Sequence, residues 1–379
     1  MTIYLDHNAT TPPLPAALDA VRETAERQWA NPASVHRPGQ RARAVLERAR
    51  RAVGRLTDLP AREVVLTGGG TEANNLALHA PFAPGVETSG ALVTSRVEHP
   101  SVVQAAEALA LRGVEVLWVE PTPEGVITVE AMEAVVGTRP VALVSVQAVG
   151  HETGTIQPIG ALRALADRWG AWLHVDAVQA LGRMAPSTWG GADMVTLAAH
   201  KIRGPKGIGA LAVRAGLKLR PVLRGGGQER GIRPGTQDAA LAAGLAVAAE
   251  RAADGGPDRY RALAPRRDRL EEGLLTLGAE RGVRVEVNGP RGANRAPHVT
   301  NLSFAGWRGP ELCASLDLEG VAVSSGSACS AGTAEPSTVI EAMLGRDRAV
   351  SAVRISLGET TTGAEVDATL AAFARVLVR

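Results

Sequence analysis

The sequence predicts an α/β fold: a mainly parallel central sheet flanked by helices, with a second, smaller α+β domain. Three observations predict it. Short apolar runs at 91–94, 141–146 and 172–175 alternate with longer amphipathic stretches, the pattern of a sheet covered by helices. A chain of 379 residues is too long for one simple core. Past Asp254-Gly255-Gly256-Pro257 the alternation changes, which marks a domain boundary.

Taken in order, residues 3–13 read as a short strand and a loop, and 15–29 carry helical spacing. A polar turn at 31–34 precedes an arginine- and alanine-rich amphipathic helix over 40–56. Residues 63–67 form a buried strand. Gly68-Gly69-Gly70-Thr71-Glu72 follows, then a helix over 73–79 with Thr71 near its N-cap. The strand at 91–94 ends near Glu98-His99, and Pro100-Ser101 opens the next helix. Strands continue at 114–119, 141–146, 172–175, 193–199 and 208–213. Residues 224–237 are rich in glycine and arginine, which suits a mobile segment or one bound to an anion. An alanine-rich helix spans 238–253. Beyond the boundary come a helix (258–281), strands (283–287, 298–304), a helix (310–318), a strand (321–324), a helix (336–344), a strand (350–357) and a helix (363–378).

Composition excludes several classes. The chain is 45% hydrophobic and 21% charged, ordinary for a globular protein, and its net charge of +2 gives no nucleic-acid or membrane surface. The start lacks a basic region followed by an apolar run, and no uncharged stretch is long enough to span a bilayer. Two cysteines cannot build a disulfide framework, so a reducing, cytoplasmic location is the default. No metal-binding cluster is read from the sequence.

The chemistry centres on residues 172–214. One buried strand stops at Asp176, and another stops at His200-Lys201. Buried acids and amines are costly unless paired or employed. The chain has only three lysines, Lys201, Lys206 and Lys218, so a lysine kept after a buried strand points to a needed amine. Arginine cannot replace it, being always protonated and a poor nucleophile. One chemistry uses both groups: a lysine forms a Schiff base with pyridoxal phosphate (PLP), and a carboxylate holds the pyridinium nitrogen protonated.

Other residues are read beside this pair. The turn at 68–71 between strand and helix makes an anion site from backbone N–H groups and the helix dipole. Gly68-x-Gly70-x-x-Ala73 also fits a dinucleotide fingerprint, but no acidic residue ends a strand about 20 residues on. A tight turn without ligand is the competing reading. His99, at a strand end, is a structural histidine or a ring that stacks on a cofactor, and His200 is similarly ambiguous. Cys313 lies in a helical stretch and reads as core. Cys329 lies in Ser324-Ser325-Gly326-Ser327-Ala328-Cys329-Ser330-Ala331-Gly332, where everything is small, so it is a candidate nucleophile on a mobile loop. Arg354 alternates with the apolar face of Val353, Ile355 and Leu357. It is either solvated or grips a carboxylate.

In order along the chain, Tyr4-Leu5-Asp6-x-x-Ala9-Thr10-Thr11-Pro12, Thr71-Glu72-Ala73-Asn74-Asn75, Glu98-His99, His174-Val175-Asp176-Ala177-x-Gln179, His200-Lys201-x-x-Gly204-Pro205-Lys206-Gly207 and Ser324-Ser325-Gly326-Ser327-Ala328-Cys329 look like a cysteine desulfurase of the class V aminotransferase type. The resemblance covers essentially the whole chain and is to the subgroup with the long mobile cysteine loop. It implies a fold-type I PLP transferase with residues 15–255 as the large domain and 1–14 with 256–379 as the small one. Lys201 would bind PLP and move protons at the substrate α-carbon. Asp176 would pair with the ring nitrogen, His99 would stack on the ring, and Gln179 would hydrogen-bond the phenolic oxygen. Gly70, Thr71 and His200 would hold the phosphate, joined by Thr236 from the second subunit of a homodimer. Arg354 and Asn31 would bind the carboxylate of L-cysteine. Cys329 would take the sulfur as a persulfide, releasing L-alanine, and pass it to an iron–sulfur scaffold or a tRNA-thiolation protein.

Two positions depart from the family. His151 stands where the family has an asparagine that contacts cofactor and substrate. An imidazole there is expected to donate a hydrogen bond and to change charge near neutral pH. Ala198 stands where a serine commonly binds phosphate. The alternatives are a selenocysteine lyase or class V aminotransferase, a non-catalytic adaptor, and a nicotinamide dehydrogenase, the last leaving Lys201 and Cys329 without roles.

Overall fold

The computed structural model describes residues 2–83, 90–326 and 336–377. The strands described are, in chain order, β1 (Ile3–Tyr4), β2 (Val65–Thr67), β3 (Ala91–Ser95), β4 (Val116–Val119), β5 (Val141–Gln147), β6 (Trp172–Asp176), β7 (Met194–Ala198), β8 (Gly209–Val213), β9 (Val285–Val287), β10 (Val299–Phe304), β11 (Val321–Ala322) and β12 (Ala352–Ser356). Seven of them form one sheet in the order β2-β8-β7-β6-β5-β3-β4. Its pairings are parallel except at β8, which runs antiparallel to both β2 and β7.

The reversal at β8 has a local cause. A parallel return needs a crossover of a dozen or more residues, usually helical. Residues 199–208 hold only a 3-10 turn, Ala199–Lys201, and a loop in which Gly207 takes φ +83°. The chain therefore turns back at once, and Lys201 stays at the carboxyl end of β7. Register aligns the neighbouring strand ends. Gln147 lies opposite Asp176, and Asp176 opposite Thr196. Every residue of β5 and β7 is buried, as strands covered on both faces require.

The smaller sheet is antiparallel, β12-β10-β9, and β1 pairs in parallel with β11 beside it. Its core is a separate cluster built on Leu5, Leu270, Leu302, Phe304, Ile355 and Phe373, with the last aromatic stacked on Phe304. Bridges from Asp6 to Ser356 and from Ser324 to Arg354 tie the N-terminal segment and residue 324 to β12.

Three elements differ from the sequence expectation. The single helix expected over 258–281 is two, Gly256–Arg261 and Ala264–Arg281. Pro265 lies in the first turn of the second, where its missing N–H is harmless, whereas inside one long helix it would break the ladder. A short helix, Arg346–Val350, occupies the start of the last expected strand, which begins only at Ala352. The second long helix starts at Arg37, not residue 40, because the His36 ring caps it by accepting from Gly39 N.

The first residue of β8 lies against the glycine turn that precedes helix Gly70–His79. A Cβ on Gly209 would meet Leu197 O at 2.5 Å and Gly69 C at 2.7 Å, both backbone. Gly209→Ala is therefore expected to lower unfolding stability by about 1–3 kcal/mol in urea titrations. An unchanged midpoint would remove this contact from the account.

Candidate active site

The carboxyl ends of β5, β6 and β7 open into a cavity of about 170 Å³. That is the volume of several waters, at ~30 Å³ each. Asp176, Lys201, His99, Gln179, Thr71 and Arg354 are among the residues that line it. A crevice outside the strand ends is where open parallel sheets bind ligands.

Asp176 is only 5% exposed, and both its oxygens have donors. Oδ2 accepts from Asn74 Nδ2 at 2.8 Å, and Oδ1 accepts from Val178 N at 3.0 Å. Asn74 Nδ2 also donates to Ser101 Oγ at 2.9 Å, while its Oδ1 has no partner among the described residues. Lys201 Nζ donates to Asn8 O and, at 2.8 Å, to Ala9 O. The N-terminal loop thus holds the amine at the cavity.

Helix Gly70–His79 points its N-terminus at the cavity. Gly69 precedes it with no side-chain cap, so Thr71 lies inside the first turn rather than capping it. A Cβ on Gly70 would meet Val178 Cγ2 at 3.2 Å and Ala198 Cβ at 3.4 Å. The helix end is therefore packed closely onto the strand ends with its first N–H groups available. His200 sits beside it, with Nδ1 3.1 Å from Thr10 Oγ1, and burial followed by the Lys201 charge lowers its pKa to about 4.

His99 caps the helix Pro100–Ala110. Its Nδ1 accepts from Ser101 N, which leaves the proton of a neutral ring on Nε2. Burial lowers its pKa, Lys201 and Arg354 lower it further, and Asp176 opposes them. The His151 ring meets it edge-on, with centroids 5.4 Å apart.

His151 corrects the sequence expectation. It is 5% exposed, and burial first, then His99, Arg354 and Lys201, hold its pKa well below the ordinary value, so it stays neutral near pH 7. Gln147 Nε2 donates to Val97 O, which turns Gln147 Oε1 toward His151 Nδ1 at 3.2 Å. The proton is therefore on Nδ1, and Nε2 is an acceptor, not the expected donor.

Arg354 is 2% exposed rather than solvated. Nη2 pairs with Asp6 Oδ1 at 2.7 Å, and Nη1 donates to His151 O at 3.1 Å. Gln179 donates to Asn8 O at 3.0 Å and accepts from Arg183 Nη1 at 2.5 Å. Arg183, which the sequence pattern did not single out, is 1% exposed and also donates to Asn8 Oδ1, His7 O and Lys201 O. Nothing local distinguishes it from the many solvated arginines. Asn8 was missed likewise, although it lies inside the quoted Asp6-x-x-Ala9 stretch.

Two expected residues, Asn31 and Thr236, do not line this cavity in their own chain. Asn31 is exposed, and its Oδ1 accepts from Ala33 N at 2.9 Å in its own turn. Thr236 is exposed and does not line the cavity of its own chain. Cys329 lies outside the described residues. Cys313 packs against the smaller core, and burial pushes its thiol up to about 12, in keeping with a core residue. Among the described residues no group of three or more ligating side chains could hold a metal, and no helix is long and apolar enough to cross a membrane.

Fold and cavity together describe an α/β enzyme with its site at the strand ends. The chain belongs to the class-V aminotransferase family, whose model matches residues 3–369. It is 39% identical over 381 residues to a cysteine desulfurase of Bradyrhizobium diazoefficiens, covering 100% of this chain and 95% of that one. A solved NifS-like protein superposes with a TM-score of 0.90 at 31% identity, covering 100% of this chain and 99% of that one. A solved structure of SspA in complex with cysteine superposes with a TM-score of 0.79 at 29% identity, covering 95% and 100%.

Behind the cavity, Glu98 is 2% exposed, and burial raises its pKa to about 8, with Asp176 adding to the shift. Its carboxyl accepts from Ser95 Oγ at 2.9 Å and Gln147 N at 2.7 Å. A raised carboxyl binds a proton in the native state that the unfolded chain has released, so its contribution to stability falls as pH rises between about 5 and 8. Glutamine can fill both contacts without charge. Glu98→Gln is expected to gain stability relative to the unaltered protein as pH is raised through that window. A difference that stays constant with pH would contradict the raised carboxyl.

Proposed function

We propose that the chain is a cysteine desulfurase that uses PLP to remove sulfur from L-cysteine. The observation that carries this is the single cavity lined by Asp176, Lys201, His99, the helix N-terminus at Gly70–Thr71 and Arg354. The residues fit the cofactor. A carboxylate oriented by two donors suits a pyridinium N–H, a lysine faces the same space, and uncapped helix N–H groups suit a phosphate. When bound, PLP supplies an electron sink for bonds breaking at the substrate α-carbon.

The chain's own residues do the rest. Asp176 would keep the ring nitrogen protonated, His99 would face the ring, and Gln179, steadied by Arg183, would bond the phenolic oxygen. Gly70, Thr71 and His200 would hold the phosphate, with Thr236 of a second copy in a homodimer. Arg354 takes the substrate carboxylate and Lys201 Nζ moves the proton at the α-carbon. Cys329 forms a bond to the substrate sulfur as the carbon–sulfur bond breaks, leaving alanine and a persulfide. The exposed Asn31 is set to meet substrate only if the second copy's site brings it close. Residues 15–255 act as the large domain, and 1–14 with 256–379 as the small one. The persulfide passes to an acceptor protein, an iron–sulfur scaffold or tRNA-thiolation partner, in the cytoplasm, with no direct role for nucleic acid or membrane.

In the purified protein a yellow absorption band lost on borohydride treatment, with the label on Lys201, is expected. Cys329→Ala should keep that band and lose sulfide and persulfide yield. A variant that still turns over would favour an aminotransferase, and a protein that cannot be reconstituted with PLP would end the proposal. Ala198 is buried in the cavity wall, 2% exposed, where a hydroxyl would add a phosphate contact. Ala198→Ser is expected to tighten PLP retention by about 1.5–3 kcal/mol, roughly 10–100-fold in equilibrium dialysis. Equal retention in the two proteins would show that the missing hydroxyl is compensated.

A further inference from the structure

Two residues lining the cavity each carry a buried nitrogen without a hydrogen-bond partner among the described residues, and the two nitrogens are opposite in kind. Arg354 Nε is a donor. His151 Nε2 is an acceptor, because Gln147 Oε1 claims the Nδ1 proton. The two residues adjoin, since Arg354 Nη1 donates to the backbone oxygen of His151 at 3.1 Å. A buried donor and a buried acceptor left unsatisfied on adjoining residues are costly unless a partner completes them. An α-amino acid presents the matching pair on one carbon, a carboxylate and an amine.

We propose that His151 Nε2 accepts a hydrogen bond from the α-nitrogen of the amino-acid substrate whose carboxylate Arg354 holds. This rests on the desulfurase reading and deepens it: the site recognises the zwitterion with a matched cation and imidazole. No proton is transferred. Burial first, then His99, Arg354 and Lys201, disfavour an imidazolium. Glu152 Oε1 approaches Nε2 only to 3.8 Å, beyond hydrogen-bond reach, so it leaves the acceptor unsatisfied. Asp176, another lining residue, is already bound by Asn74 and Val178 N. A neutral imidazole whose Nε2 is an acceptor would repel a carboxylate or phenolic oxygen and attract an N–H. The position therefore selects for the amine rather than for a second anion.

The test uses the PLP-loaded full chain, with L-alanine and propionate as competing inhibitors of sulfide release from L-cysteine. They share a carboxylate and differ in the amine. His151→Ala is expected to weaken L-alanine about 10–100-fold, as for a lost hydrogen bond to a charged group, and to leave propionate nearly unchanged. His151→Gln, whose Oε1 can reach about as far as Nε2, should restore L-alanine. A second measurement needs no variant: nitrogen-15 NMR of the histidines in the loaded protein should show His151 Nε2 unprotonated across neutral pH and shifted by L-alanine but not by propionate. Equal weakening of both inhibitors, no weakening of either, or a protonated Nε2 would overturn the assignment. A loaded protein that releases no sulfide from L-cysteine would instead sink the desulfurase reading, while the NMR comparison would still decide the role of His151.

Discussion

A carboxylate held almost out of water at the end of β6 is the constraint around which the site is built. Asp176 keeps its place because Asn74 and the Val178 amide satisfy both its oxygens. An unsatisfied buried acid would cost several kcal/mol. Satisfying it requires helix Gly70–His79 to approach the strand ends closely, and that approach depends on glycine at positions 70 and 209. Asn74 also donates to Ser101, which in turn contacts His99, so one chain of hydrogen bonds orients both the acid and the ring beside it.

Other lining residues are organised by the N-terminal loop. The Asn8 and Ala9 carbonyls take the Lys201 amine, the Asn8 side chain meets Arg183 and the His151 carbonyl, and Asp6 pairs with Arg354. Residues far apart in sequence thus share a few buried polar contacts, and a network of this kind is stable only when every member is satisfied. Among the described residues, Asn74 Oδ1, His151 Nε2 and Arg354 Nε lack partners and belong to residues lining the cavity, while Arg183 Nε and His298 Nδ1 lack partners away from it.

Burial drives His99, His151 and His200 toward their neutral forms, and the cations Lys201 and Arg354, which line a space with one acid, add to it. A cationic, desolvated cavity whose imidazoles stay neutral suits ligands bearing phosphate and carboxylate groups.

Much of this was legible in the chain itself. Alternating apolar runs reveal a covered parallel sheet because strands buried on both faces leave few polar positions. Asp176 and Lys201 stand out because charged side chains ending apolar strands need a reason to be there. What the sequence could not decide was polarity and partnership. Arg183 looks like any of the chain's arginines until the fold buries it against Asn8, Gln179 and the Lys201 carbonyl. His151 reads as a titrating donor until Gln147, four residues earlier and anchored to Val97, claims its Nδ1 proton. Local pattern determines which residues are buried and where strands end. Hydrogen-bond direction and charge state depend on neighbours brought from distant segments, so only the tertiary structure decides them.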